Sequence, residues 1–273
     1  MKIISPKGKE FTVGKRIGGT NVFNLYEGVF SGNPTCILKI ATDIKYNGLL
    51  DKEAYFLKEM REEADALEEE FSKKKTDDTF LNNHFFFPQV IETFMSPEQG
   101  NRRITMLSFS DISKKLGDLT PLSFITDRDN NVVDPRTSAW ILGKLLKLLV
   151  FTHGQGILIN DINPDNILIN KKEHYVAIFD WTSATRTESL TGAETSNEIS
   201  LITKEVVEIL GGDSETGNLP VDDQLADNQY QDFLKRLIDK KESRAFNAHR
   251  AFYDLIWSLW PRKFWNYTTK IIY

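Results

Sequence analysis

The chain has little of what metal and disulfide chemistry needs. Its 273 residues include one cysteine and four histidines. A single thiol excludes an intramolecular disulfide and fits a reducing, cytoplasmic setting. The scattered histidines and lone cysteine show no zinc-ligand spacing. Cys36, among apolar neighbours, is expected to be a small buried hydrophobe. No apolar run approaches the length of a membrane span, and Met1-Lys2-Ile3-Ile4-Ser5-Pro6 lacks the pattern of a secretory signal, so no membrane partner is expected. Basic residues form no stripe and the formal net charge is -5, which argues against nucleic acid as a main partner. Internal repeats are absent, and the only biased stretch is rich in Glu and Lys. With 40% hydrophobic residues the chain can bury an ordinary core.

What is present concentrates in Asn160-Asp161-Ile162-Asn163-Pro164-Asp165-Asn166-Ile167-Leu168-Ile169, followed by Val176-Ala177-Ile178-Phe179-Asp180-Trp181. One aspartate that can orient a hydroxyl, an asparagine five positions on and a second aspartate closing an apolar run supply a base and two hard oxygen ligands for Mg²⁺. Asn-Pro-Asp-Asn also suits a plain polar turn between two apolar strands. The stretch resembles the catalytic loop of protein kinases, His-Arg-Asp-Leu-Lys-Pro-x-Asn followed by a strand and Asp-Phe-Gly. The resemblance implies that Asp161 is the catalytic aspartate, and that Asn166 and Asp180 bind Mg²⁺. Pro164 favours protein kinases over related small-molecule phosphotransferases.

The amino-terminal order agrees with that resemblance. Phe11 to Ile17 and Val22 to Phe30 read as strands around a Gly18-Gly19-Thr20-Asn21 turn. Cys36 to Ile40 reads as a third strand carrying Lys39, and a lone strand lysine is otherwise a common solubility device. A helix follows, in which Glu53-Ala54-Tyr55-Phe56-Leu57 resembles the kinase helix that supplies the lysine's partner. Most of the later glutamates, Glu59 through Glu70, form a solvated face. The helix runs into a charged stretch at Lys73 to Asp78 that should break at a surface loop. Phe85 to Phe94 reads as a fourth strand, and Arg103 to Phe109 as a fifth leading to a hinge beside which adenine would bind.

Several residues depart from the family pattern. Aligned on Leu25-Tyr26-Glu27-Gly28, Gly18 falls on the first glycine position, but Thr20 and Phe23 fall on the second and third, where a missing Cβ lets amides approach phosphate. Ile37 stands where a small alanine usually meets the adenine. Phe23 and Ile37 would both narrow the pocket. Asn163 replaces a lysine, Ile159 and Asn160 replace His-Arg, and Asp180-Trp181-Thr182 replaces Asp-Phe-Gly.

In the remainder, Asp134-Pro135 is a helix start and Gly154-Gln155-Gly156 its stop. The segment from Thr182 to Thr191 is rich in hydroxyls and lies where kinases carry an activation segment. It could accept phosphate or be a short polar loop, and it lacks the closing Ala-Pro-Glu anchor. Helices are expected at Glu198 to Leu210, about Asp223 to Lys240, and Arg244 to Trp260. The tail from Trp257 to Trp265 is aromatic, mostly through helical packing, with partner contact as a second possibility.

The resemblance implies an α+β, two-lobed protein kinase-like fold. A small antiparallel sheet with one helix would occupy about 1–109, and a larger, mainly helical lobe about 112–273. It implies an ATP- and Mg²⁺-dependent kinase transferring the γ-phosphate to serine or threonine of a protein substrate. Lys39, held by Glu53, would position the phosphates with Gly18 and Gly19; Asp161 would act on the acceptor hydroxyl; Asn166 and Asp180 would hold the metal. A pseudokinase serving as a binding module, or a small-molecule phosphotransferase, are the alternative readings.

Overall fold

The computed structural model describes residues 2–75, 81–220 and 228–271. The architecture is α+β, with a curled antiparallel sheet of six strands and about 43% helix. The chain divides into two compact units, Met1–Leu119 with Ala177–Thr182, and Thr120–Val176 with Ser183–Tyr273. The boundary thus falls later than the expected residue 109, and Ala177–Thr182 joins the first unit rather than the second. Among the described residues no helix is long and apolar enough to cross a membrane.

The first unit is built on β1 (Lys2–Ile4), β2 (Glu10–Gly19), β3 (Phe23–Phe30), β4 (Asn33–Ala41), β5 (Gln89–Ser96) and β6 (Arg102–Ser108), with one helix, α1 (Asn47–Lys74). The strand order is β1-β2-β3-β4-β6-β5. Strand alternation sorts β4 into two faces. Cys36, Leu38 and Ile40 join Phe11, Val13, Ile104 and Met106 in one cluster. Ile37, Lys39 and Ala41 take the other face, and all three are buried. Each large apolar side chain so enclosed contributes roughly 1.5–3 kcal/mol relative to exposure. Helix α1 turns Leu50, Glu53, Ala54, Leu57, Met60 and Ala64 inward at three- and four-residue spacing.

Two expectations are corrected here. Lys2–Ile4 contribute an additional strand, β1, registered Ile3 to Phe11. Phe85 to Phe87 are not strand: Asn83–Phe86 form a short helical turn and β5 begins only at Gln89. Pro88 disfavours helix at Phe87, and Arg61 of α1 donates to the carbonyls of His84 and Phe87, at 3.2 and 2.9 Å, holding the turn closed. The expected break of the charged stretch falls partly on 76–78, outside the described residues.

The second unit contains β7 (Leu119–Pro121), whose first residue belongs to the first unit, β8 (Asn131–Val133), α2 (Pro135–Gly154), β9 (Ile157–Leu158), β10 (Ile167–Asn170), β11 (Tyr175–Ile178), which leads into the first unit's Ala177–Thr182, then β12 (Thr185–Arg186), α3 (Gly192–Ile209), α4 (Gln229–Ile238), α5 (Ala245–Leu259) and β13 (Thr269–Ile271). Helix α2 packs against α3 and α5, and α3 against α4. Asp134 caps α2 as its sequence suggests, accepting from the amides of Arg136 and Thr137 at 2.8 and 3.1 Å. Helix α3 starts six residues before the expected Glu198, because Thr191 and Glu194 form a capping box. Of the helix expected from Asp223, residues 223–227 lie outside the described set and α4 spans Gln229–Ile238.

The aromatic tail is not a continuation of α5. It leaves the helix at Trp260 and returns as β13, paired with β8. On the way Phe264 stacks on His174, which stacks on Trp140, with ring centroids 4.2 and 4.4 Å apart. Arg136 lies over Trp265 at 4.2 Å.

Candidate functional site

In the first unit, β4 carries Lys39 inward and α1 carries Glu53 toward it. The Lys39 ammonium donates to Glu53 Oε1 at 2.7 Å and to Asp180 Oδ1 at 2.7 Å. The Lys39 and Glu53 side chains are both 0% exposed. The backbone amide of Trp181 donates to the same Glu53 oxygen at 2.9 Å. Thr182 donates to Asp180 Oδ1 twice, from its amide at 3.0 Å and its hydroxyl at 2.8 Å. The structure therefore brings together three expected site residues that are far apart in sequence.

Trp181 anchors this segment. Its indole nitrogen donates to the Ile178 carbonyl at 3.0 Å, and its ring, fully buried, lies 5.1 Å from Phe87. A buried indole without an acceptor would cost on the order of 1–3 kcal/mol, so this bond makes a large side chain tolerable where the kinase pattern has phenylalanine.

One cation among two buried carboxylates leaves the cluster short of positive charge. Burial pushes the Glu53 carboxyl up to about 7, against the pull of Lys39 and with the help of Asp180's charge. Its Oε2 is buried and has no hydrogen-bond partner, which is where a proton would reside. Asp180 moves the other way. Burial raises it, but the Lys39 charge, the Lys39 hydrogen bond and the two from Thr182 together hold it below the usual carboxylate range. The cluster therefore keeps Asp180 ionised while Glu53 is able to take up a proton near neutrality.

Phe23 packs directly on this cluster. Its ring centroid lies 3.8 Å from Lys39 Nζ, and Phe179 stands 5.0 Å away on the same ammonium. Phe23 is itself buried, so its ring covers one side of the Lys39 ammonium. The hairpin above it is tight. Thr20 donates its amide to the Phe23 carbonyl at 2.8 Å. Gly19 has φ +142°, and a Cβ there would lie 2.5 Å from the Phe23 carbonyl oxygen. Gly19 is thus needed for hairpin closure, whereas Gly18 has room, its Cβ meeting only Leu25 at 3.7 Å.

In the second unit, the loop from Asn160 to Asn166 is shaped by amides. Asn163 Nδ2 donates to Asp161 Oδ1 at 2.7 Å, and Asn166 Nδ2 donates to the Asp161 carbonyl at 2.7 Å. The Asn166 amide in turn donates to Asn163 Oδ1 at 3.0 Å. Asn163, which supplies no cation, instead fixes the rotamer of the proposed catalytic aspartate. Asp165 accepts from the Ser123 hydroxyl at 2.5 Å, away from that chemistry.

Two residues outside the expected site set, Glu198 and Asn160, organise this loop. Glu198, buried on α3, accepts from the amides of Ile159 and Asn160 at 2.7 and 2.8 Å, and its other oxygen meets His153 Nε2 at 2.9 Å. A lone glutamate on the Thr195, Ile199, Ile202 face of an apolar helix was the available signal. Asn160 adopts φ +63°, a left-handed conformation that asparagine tolerates. Its Nδ2 donates to the Ser183 carbonyl and the Thr185 hydroxyl at 3.1 and 2.9 Å. The hydroxyl-rich segment is docked through β12, which pairs with β9, and through the Thr187 amide on the Gly156 carbonyl at 2.9 Å.

Asp65, Glu68 and His84 also place one potential ligand atom each within 4.8 Å of one another, a grouping that sequence spacing did not disclose. Glu68 accepts from the His84 amide at 3.0 Å and pairs with its Nδ1 at 2.7 Å, which ties the turn at 83–86 to α1.

No protein-family profile matches the chain, and no curated protein matches it.

Proposed function

We propose that the protein is a Mg²⁺- and ATP-dependent phosphotransferase of the protein-kinase type, acting on serine or threonine hydroxyls. The observation that carries this reading is Lys39, completely buried, at 2.7 Å from both Glu53 and Asp180. An inward lysine on a central strand, tied to a helix glutamate and a carboxylate, is expensive to bury and is explained by phosphate handling. When bound, Mg²⁺ would neutralise charge on the transferring phosphate. Asp180 and Asn166 suit that cation as hard oxygen donors. Glu53 keeps the lysine head group positioned, and Asp161, its rotamer set by Asn163, orients the acceptor hydroxyl and takes its proton.

One observation favours a second reading, a nucleotide-free binding module. Phe23 covers the Lys39 ammonium that ATP would use.

The test is incubation with γ-labelled ATP and Mg²⁺, beside Asp161→Ala and Asp180→Ala, with thermal stability read with and without ATP. Label transferred by the wild type and lost in both variants supports the kinase. If neither transfer nor ATP-induced stabilisation occurs, the binding module replaces it, since a ligand that binds only the folded state must raise its stability.

A further inference from the structure

The loop that carries Asp161 leaves β9 through a turn held from two sides. Pairing of β9 with β12 sets Leu158 opposite Thr185 and Ile157 opposite Arg186, and stops there. Beyond it the amides of Ile159 and Asn160 both donate to Glu198 Oε1, at 2.7 and 2.8 Å. With those donors taken by α3, the backbone cannot carry the ladder on toward residues 183–184. The side chain of Asn160 takes over. Its Nδ2 donates to the Ser183 carbonyl at 3.1 Å and to the Thr185 hydroxyl at 2.9 Å.

Asparagine suits this place for two separate reasons. Residue 160 sits at φ +63°, a conformation that Asn and Asp tolerate better than other side-chain-bearing residues. Of those two, asparagine alone carries an NH₂ able to donate to a carbonyl and a hydroxyl at once. Asp161 is the next residue, so its backbone is fixed at the amino-terminal side through Asn160. Its carboxylate is fixed at the other side, where Asn163 Nδ2 donates to Oδ1 at 2.7 Å. Residues 185–187 are also held by β12 and by the Thr187 amide on the Gly156 carbonyl at 2.9 Å. The Asn160 contacts therefore govern alignment more than folding.

We propose that Asn160 is a positioning residue for phosphotransfer, with the Thr185 hydroxyl setting its orientation, so that residues 183–185 and the Asp161 loop keep one alignment. The inference rests on the phosphotransfer reading. Without the tie, Asp161 samples positions from which it cannot orient the acceptor hydroxyl, and the chemical step slows. Lys39, Glu53 and Asp180, the residues assigned to phosphate and metal, belong to the first unit and keep their mutual contacts. The effect therefore falls on kcat and leaves the KM for ATP unchanged.

The experiment compares the full-length wild type with Asn160→Gly, Thr185→Val and Thr185→Ser. Glycine removes the side chain while accepting the positive φ, valine removes the hydroxyl at nearly constant shape, and serine restores it. Amide exchange is read without nucleotide, and transfer from γ-labelled ATP with Mg²⁺ to dephosphorylated casein is read as kcat and ATP KM. Exchange at 161–166 and 183–185 should accelerate in Asn160→Gly and Thr185→Val, with β4 and α1 unchanged. Their kcat should fall roughly tenfold at constant ATP KM, and Thr185→Ser should match the wild type. Unchanged exchange in both altered chains, a Thr185→Ser chain as impaired as Thr185→Val, or a raised ATP KM with intact kcat would each overturn the proposal. A wild type that transfers no phosphate, beside the expected exchange pattern, would overturn the phosphotransfer reading and reduce Asn160 to a structural tie.

Discussion

Asp180 and Asp161, the two carboxylates of the proposed reaction, are held by different kinds of group. Asp180 is buried against an ammonium and receives two further hydrogen bonds on the same oxygen. Asp161 is half-buried, and the groups that set it are the side-chain amides of Asn163 and Asn166. The first arrangement is bound by charge, so removing its cation leaves two buried carboxylates uncompensated. The second is bound by neutral dipoles, whose loss is smaller and local. A buried ionic cluster is sensitive to its charge count, whereas an amide-held loop is sensitive to geometry.

The largest expected break in that contrast is Lys39→Met. It leaves Glu53 and Asp180 buried side by side with no cation, and breaking such a group by removing one partner costs about 3–5 kcal/mol. Urea unfolding of the intact chain should show that loss, while Asp161→Asn, which keeps a polar group of the same shape at a half-buried position, should stay within about 1 kcal/mol. A Lys39→Met chain as stable as Asp161→Asn would refute the distinction.

Glu198 sharpens the comparison from the other side. It is an ionisable anchor beneath the amide-held loop, accepting from two backbone amides and paired with His153. Glu198→Gln keeps the shape but turns an acceptor oxygen into an NH₂ that faces a donor. The expected cost is about 1–3 kcal/mol, less than for Lys39→Met. Amide exchange at Ile159 and Asn160 should accelerate more than in the first unit. Exchange that rises uniformly across both units would sink the idea that Glu198 acts on the loop.

How much of this was legible in the sequence depended on whether the cause was local. The alternation in β2, β3 and β4, and the Asp134-Pro135 start of α2, are local signals, and the strands and helix stand where those signals place them, to within a few residues. The meeting of Lys39, Glu53 and Asp180 was approached through motif order, which fixes no distance. What escaped had distant partners. Strand β13 exists because Asn131–Val133 offers it an edge. Phe85 to Phe87 look like strand until Arg61, on another element, claims two of the surrounding carbonyls. Glu198 stands on a buried helix face, but the loop amides that it accepts from lie 39 and 38 residues away in the chain. The Thr191–Glu194 box was local and readable, but the activation-segment resemblance drew the helix start too far downstream.

The last contrast is one of pH dependence and concerns Glu53, where the sign follows from burial. The carboxyl titrates near its ordinary value of 4.5 when unfolded and at about 7 when folded. A raised folded value means that the native state holds the proton more tightly. The stability this contributes is complete below about 4.5 and is lost as pH rises through about 7. Glu205 on α3, also pushed up to about 7 by burial and then by Glu208 and Asp165, adds a slope of the same direction. A wild-type profile alone would therefore mix the two. Subtracting the profile of Glu53→Gln cancels the Glu205 contribution, because a neutral amide at position 53 has no proton to lose while Glu205 is unchanged. The wild type should lose stability relative to Glu53→Gln between pH 4.5 and 7, and the difference should be flat below that window. A difference of the opposite slope would mean that Lys39, rather than burial, dominates Glu53, and that the charge-bound cluster is better compensated than its geometry implies.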